Sequence, residues 1–172
     1  MTTNNSQIVC QKIISGGQTG VDRGALDACL QNNFVYGGWC PKGRMAEDGR
    51  IDTKYNLQET NESSYSSRTY KNVEDSSATC IISNKNLKGG TLLTKNMADQ
   101  FKKPVLVIFP EELPTEDLLI KMITFLQNNM VSTLNIAGPR KSEWENGYNI
   151  TLSLISKLIQ LIQKRRQNPV QL

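Results

Sequence analysis

The chain has 172 residues, enough for one domain that buries about 70% of the surface exposed by its unfolded chain. Its net charge of +4 rests largely on Lys164, Arg165 and Arg166; without them the balance falls to +1, so the charge describes a solvated helix end and argues against nucleic acid as a partner. With no histidine at all, the usual Cys/His zinc sites and the Ser/His/Asp and Cys/His nucleophile systems are excluded.

Residues 1–7 are polar, lack the apolar core of a signal peptide, and are expected to form a disordered arm. A single domain is expected over 8–167, with a flexible tail over 168–172. The first strand signal runs over 8–15, through Ile8, Val9, Ile13 and Ile14, into the glycine-rich turn Gly16-Gly17-Gln18-Thr19-Gly20. A helix pattern follows over 20–31 through Ala25, Leu26, Ala28, Cys29 and Leu30. A second strand is predicted at 34–40. The stretch from Pro41 to Ser64 is polar and lacks periodicity, so it reads as a long irregular excursion, a kind of loop that often carries function. A helix near 65–76 and a strand near 78–84 come next, then Gly89-Gly90-Thr91 opening a helix at 91–102. Pro104 to Pro110 enclose a continuous apolar run, predicted as a strand at 104–109 buried on both faces. The rest is a helix at 115–129, a strand at 132–137 and a helix at 146–166. In that last helix Ile150, Leu154, Ile155, Leu158, Leu161 and Ile162 form one broad apolar face. Leu152 and Ile159 widen it enough to allow a subunit contact. Alternation of strand and helix at this period predicts an α/β fold, a doubly wound, mostly parallel sheet of five or more strands with helices on both sides.

No apolar run approaches the roughly 18 residues of a membrane span. The four cysteines, Cys10, Cys29, Cys40 and Cys80, have no C-x-x-C spacing and suit reduced thiols, so a cytoplasmic location is expected. Cys40, in a glycine-rich loop, is the thiol expected to be exposed.

Functional residues are predicted along one edge of the sheet. A strand, a tight glycine loop and a helix N-terminus build an anion site, because the free N–H groups of the helix and its dipole both favour negative charge. Ser15, Gly16, Gly17, Gln18, Thr19 and Gly20 form one such loop; Gly89, Gly90 and Thr91 form a second. Thr91 either caps its helix or offers a hydroxyl to a ligand. If the two strands are neighbours, both helix N-termini converge on one crevice. The loop Gly37-Gly38-Trp39-Cys40-Pro41-Lys42-Gly43-Arg44 ends at the same edge. Lys42 and Arg44 either complement the anion or pair with Glu47 and Asp48. Arg68 either reaches the crevice or lies on a helix surface, and Arg140 follows the fifth strand, in place for a ligand.

These residues, in the runs Ser15 to Arg23, Gly38 to Arg44, Ala46 to Gly49, Arg68-Thr69, Gly89 to Thr91 and Leu134 to Arg140, resemble the molybdenum cofactor carrier protein family. The likeness extends from about residue 12 to 160 in one order and register. It implies a Rossmann-like three-layer fold related to the lysine-decarboxylase-like group. It also implies the molybdenum cofactor, a phosphate-bearing pterin, as cargo, a homo-oligomer (dimer or tetramer), and molybdoenzymes as possible recipients. The related phosphoribohydrolases carry a catalytic Glu where this chain has Thr94, so a non-catalytic carrier is expected. The alternatives are an enzyme of the phosphoribohydrolase type, with Asp22 or Glu47 as acid–base group, and a nucleotide-sensing module.

Overall fold

The structure is a computed structural model that describes residues 8–84 and 86–167; the expected arm at 1–7 and tail at 168–172 lie outside them. The central sheet contains β1 (Lys12–Ile14), β2 (Tyr36–Gly37), β7 (Ala78–Ile82), β8 (Val105–Ile108) and β9 (Thr133–Ala137). Their order is β2-β1-β9-β7-β8, and every pairing is parallel. Five helices flank them, the last following β9: α1 (Val21–Gln31), α2 (Tyr65–Glu74), α3 (Gly89–Gln100), α4 (Thr115–Asn128) and α5 (Gly147–Gln167). Helices α1, α4 and α5 pack together, and α2 packs against α3. Right-handed crossovers in opposite directions from the middle of the sheet put these two groups on opposite faces. The fold is therefore the doubly wound, three-layer α/β arrangement expected.

The last strand in the chain, β9, inserts between β1 and β7. The strands that lead into the two glycine loops are thus not neighbours, and the C-terminal end of β9 lies between those loops. In open α/β sheets, a crevice at such a reversal of strand order is where ligands bind.

Three expectations about the elements are corrected. The predicted 34–40 strand is broken at Gly38, whose φ of 128° and approach to Ser15 leave no room for a side chain. Beyond it, β3 (Trp39–Cys40) leaves the sheet and pairs with β6 (Gln58–Glu59). The 41–64 excursion is also less irregular than predicted. It holds the hairpin of β4 (Met45–Ala46) and β5 (Gly49–Arg50), and Ala46, Ile51, Tyr55 and Leu57 pack with Leu26 and Cys40 into a small second core. Finally, β8 is an edge strand, so Val105, Leu106 and Val107 are half-buried and not enclosed on both faces.

The main core lies between sheet and helices and includes Ile13, Ile82, Leu134, Ile136, Leu126 and Leu158. The residues that widen the apolar face of α5 are used there too: Ile159 is fully buried and Leu152 packs against the core. No helix among the described residues is long and apolar enough to cross a membrane.

Candidate functional site

Above the end of β9 is a crevice of about 70 Å³ whose lining includes Gly16, Gln18, Asp22, Tyr65, Arg68, Thr91, Asn135, Gly138, Arg140 and Glu143. It adjoins a hollow of about 210 Å³, lined by Ser83, Asn86, Lys88, Pro139 and Ser142, and the two share Thr91 and Glu143. Together they fall just short of the ~300 Å³ at which small-molecule clefts commonly begin.

The two glycine loops differ. In the first, the amides of Gln18, Thr19 and Val21 are engaged by the protein itself. Gln18 N–H donates to the Asp22 carboxylate at 3.2 Å, and Val21 N–H donates to the Pro139 carbonyl at 3.3 Å. Gly20, at φ 79°, presses against Pro139, and Gly17, at φ 76°, faces Leu57 and Ile51 of the small core. The Thr19 hydroxyl donates to Glu47 and accepts from Lys141 N–H. Ser15 is buried beneath, donating to the Ile136 carbonyl at 2.6 Å. The expected presentation of the α1 N-terminus to a ligand is therefore corrected: from the predicted Ser15–Gly20 set, only Gly16 and Gln18 line the crevice.

The second loop is open. A methyl group built on Gly89 or Gly90 would meet nothing within 4 Å. Gly90 and Thr91 line the crevice, whereas Gly89 does not. Thr91 is 5% exposed, and its hydroxyl has no partner among the described residues. Thr94 donates its hydroxyl to the Gly90 carbonyl at 2.9 Å, within its own helix.

Arg68 reaches the crevice floor. Its Nη1 lies 2.6 Å from Asp22 Oδ2, and its Nε is buried without a hydrogen-bond partner. The guanidinium fills the space left by the missing side chain of Gly16, where a Cβ would fall 1.7 Å from Nη1. Asp22 is buried, which raises its pKa, and Arg68 opposes that rise. Arg140 stands at the rim, 3.6 Å from Glu143. Both guanidinium groups lie just under 6 Å from the ring centre of Tyr65.

Two predicted cations lie elsewhere. Arg44 is buried, and its guanidinium donates to the carbonyls of Ile51, Asp52, Tyr55 and Leu57 at 2.9–3.2 Å. It fastens the excursion, with four of its five N–H donors used there. Lys42 is exposed and does not line the crevice. Neither pairs with the nearby acids. Glu47 accepts from Thr19 and Ser142, and these hydrogen bonds outweigh burial and hold its pKa low. Asp48 pairs with Arg23, which lowers its pKa as well. Cys40 is buried, not exposed, and burial pushes its thiol pKa up. Trp39 donates to Asp75 at 2.7 Å, and Trp144 sits in the main core.

Sequence reasoning passed over Tyr65, Thr69, Asn72, Asn135 and Glu143 as lining residues. A signal for the first three was present: Tyr65, Arg68, Thr69 and Asn72 stand at i, i+3, i+4 and i+7, one face of a helix. Asn135 is a polar residue inside an otherwise apolar strand.

Residues 13–159 match the circularly permutated YpsA SLOG family. The chain belongs to that family. Its structure is also similar to the crystal structure of a protein from Syntrophus aciditrophicus SB described as a "putative molybdenum carrier protein". The TM-score is 0.87 at 44% sequence identity, over 90% of this chain and 98% of the other. No functionally curated protein matches it. The C-terminal strand β9 occupies the centre of the sheet in this family member, so the crevice is assembled from the two ends of the matched segment as well as its middle.

Proposed function

We propose that this chain binds, protects and hands over the molybdenum cofactor as a non-catalytic carrier, holding the phosphate end of its cargo in the crevice above β9. The observation that carries this reading is the convergence on one crevice of the open α3 N-terminus, the unpartnered Thr91 hydroxyl, the unpartnered Nε of Arg68 and the rim guanidinium of Arg140. These groups favour a compact oxyanion. The 44% identical neighbour, described as a molybdenum carrier protein, supports molybdenum-bearing cargo, and the cofactor form is this proposal's own step. A volume of about 70 Å³ suits a phosphate group alone, so the pterin would extend over the adjoining hollow toward Lys88 and Ser142.

A carrier must release what it binds. At an association rate of about 10⁶ M⁻¹s⁻¹, a micromolar Kd gives release near 1 s⁻¹, whereas a picomolar one holds cargo for days. The affinity is therefore expected near micromolar. Catalysis is disfavoured because Thr94, at the position of the phosphoribohydrolase acid, is bonded within its helix. Asp22 is tied to Arg68, and Glu47 to Thr19 and Ser142.

The test is equilibrium filtration with freshly released molybdenum cofactor and, separately, with AMP and ADP, on the wild type and the Gly90→Asp variant. Saturable cofactor binding that slows its oxidation and disappears in the variant supports the carrier. Binding of nucleotides alone overturns the cargo while keeping the site, and free base released from AMP would establish the hydrolase.

A further inference from the structure

The crevice has two cations, and each already has a carboxylate. Arg140 stands beside Glu143, and Arg68 beside Asp22. The two pairs differ in solvent access. The Glu143 side chain is 48% exposed and can keep its charge in water, whereas that of Asp22 is 5% exposed. An incoming anion that draws on the charge of Arg68 therefore leaves a buried carboxylate undercompensated, an arrangement much more costly than a buried neutral acid.

We propose that the crevice is a proton-coupled oxyanion receptor, in which a tetrahedral anion engages Arg68 and Asp22 takes up one proton from solvent as the ligand binds. This rests on the reading of the crevice as the anion site and adds how that site is controlled. Arg68 keeps unused donors while Nη1 holds Asp22: no hydrogen bond engages Nη2 among the described residues, and Nε is buried without a partner, so a small shift of the guanidinium would turn them to an anion. Beside it, the Thr91 hydroxyl and the Gly90 N–H at the start of α3 give the anion further donors.

Among the described residues, no other cation is placed to replace Arg68 against Asp22. On the same helix, Arg23 is paired with Asp48 and donates to the Gly17 carbonyl. Across the loop after β9, Arg140 is shared with Glu143. From the excursion, the carboxylate of Glu47 is turned to Thr19 and Ser142. The remaining hydrogen-bond donor to Asp22 is the neutral Gln18 N–H, the Ser15 hydroxyl beside it giving its proton to the Ile136 carbonyl. Burial already raises the Asp22 pKa while Arg68 holds it down. Weakening that opposition raises it further, so the ligand-bound value lies above the free one. Between those two values binding takes up a proton, and affinity falls as pH rises, by at most about tenfold per pH unit.

Sulfate is the suitable probe, because it stays doubly charged across the working range and any pH dependence then belongs to the protein. Its binding to the full chain would be measured by titration calorimetry from roughly pH 6 to 9, in two buffers of different ionisation heat. The expected result is proton uptake, at most one per site, in the interval between the free and ligand-bound values of Asp22, with affinity falling as pH rises through that interval. Asp22→Asn should bind sulfate with no proton uptake and a flat pH profile. Wild-type binding with no proton uptake and a flat profile overturns the proposal, whatever the stability of the variant. Absence of saturable sulfate binding at every pH instead overturns the anion-site reading, and this inference with it.

Discussion

Replacing Arg68 by methionine keeps an unbranched stem over Gly16 and removes the cation that pairs with Asp22. The Asp22 side chain is 5% exposed and lies 2.6 Å from Arg68, so the carboxylate is stranded with little access to water. Breaking a buried pair in this way costs roughly 3–5 kcal/mol when the remaining group must stay charged. Protonation limits that cost. From the ordinary aspartate pKa of about 3.9, neutralising the group at pH 7 requires about 4 kcal/mol, at about 1.4 kcal/mol per unit. Asp22 starts above its ordinary value, so the limit is lower. A loss of roughly 2–3 kcal/mol at pH 7 is expected, or about 4–12 °C in Tm for a chain of this size. The sign of the pH dependence is fixed. In the variant the folded pKa of Asp22 stands above the unfolded one, so its destabilisation is complete above the folded value. It is relieved as pH falls toward about 3.9. Urea unfolding followed by circular dichroism should therefore show the variant's deficit shrinking below about 1 kcal/mol by pH 5. An equal deficit at pH 5 and pH 8 would refute the reasoning, because it would mean that Asp22 is not the group left uncompensated.

Gly90→Asp should leave Tm within a few degrees of wild type, since nothing lies within 4 Å of the new Cβ, yet it should abolish anion binding by placing like charge at the α3 N-terminus. Gly17→Asp is expected to unfold or misfold the loop instead, because its φ is 76° and its Cβ would meet Leu57 at 2.6 Å; Tm and sulfate titration together separate the two outcomes. Arg44→Ala removes the donor to four carbonyls and should cost on the order of 3 kcal/mol. Its signature is faster amide exchange across residues 41–59, with sulfate affinity lowered less than by Arg140→Ala. All four thiols are buried, so a thiol reagent should modify none of them under native conditions and all four after denaturation.

Much of the fold was legible in sequence because its signals are local. The alternation of Ile13-Ile14, Thr79 to Ile82, Val105 to Ile108 and Leu134 to Ile136 with helical periods requires parallel strands joined by crossing helices. The glycine runs mark where those strands end. Arg68, Arg140, Gly16, Gln18, Gly90 and Thr91 could be named as site candidates from position alone, since each follows a strand's carboxyl end or lies on the returning helix. Only the tertiary structure decided how they meet. Strand order is a long-range property, and the insertion of β9 between β1 and β7 brings Asn135 and Gly138 to the crevice floor. Pairing is equally non-local. Nothing near Arg44 in sequence shows that its guanidinium will be consumed by carbonyls 7 to 13 residues away, whereas Arg68 spans 46 residues to Asp22. The amino-acid order thus determined which residues carry charge and where the chain turns. Packing determined which of those charges face the crevice and which are consumed within the fold.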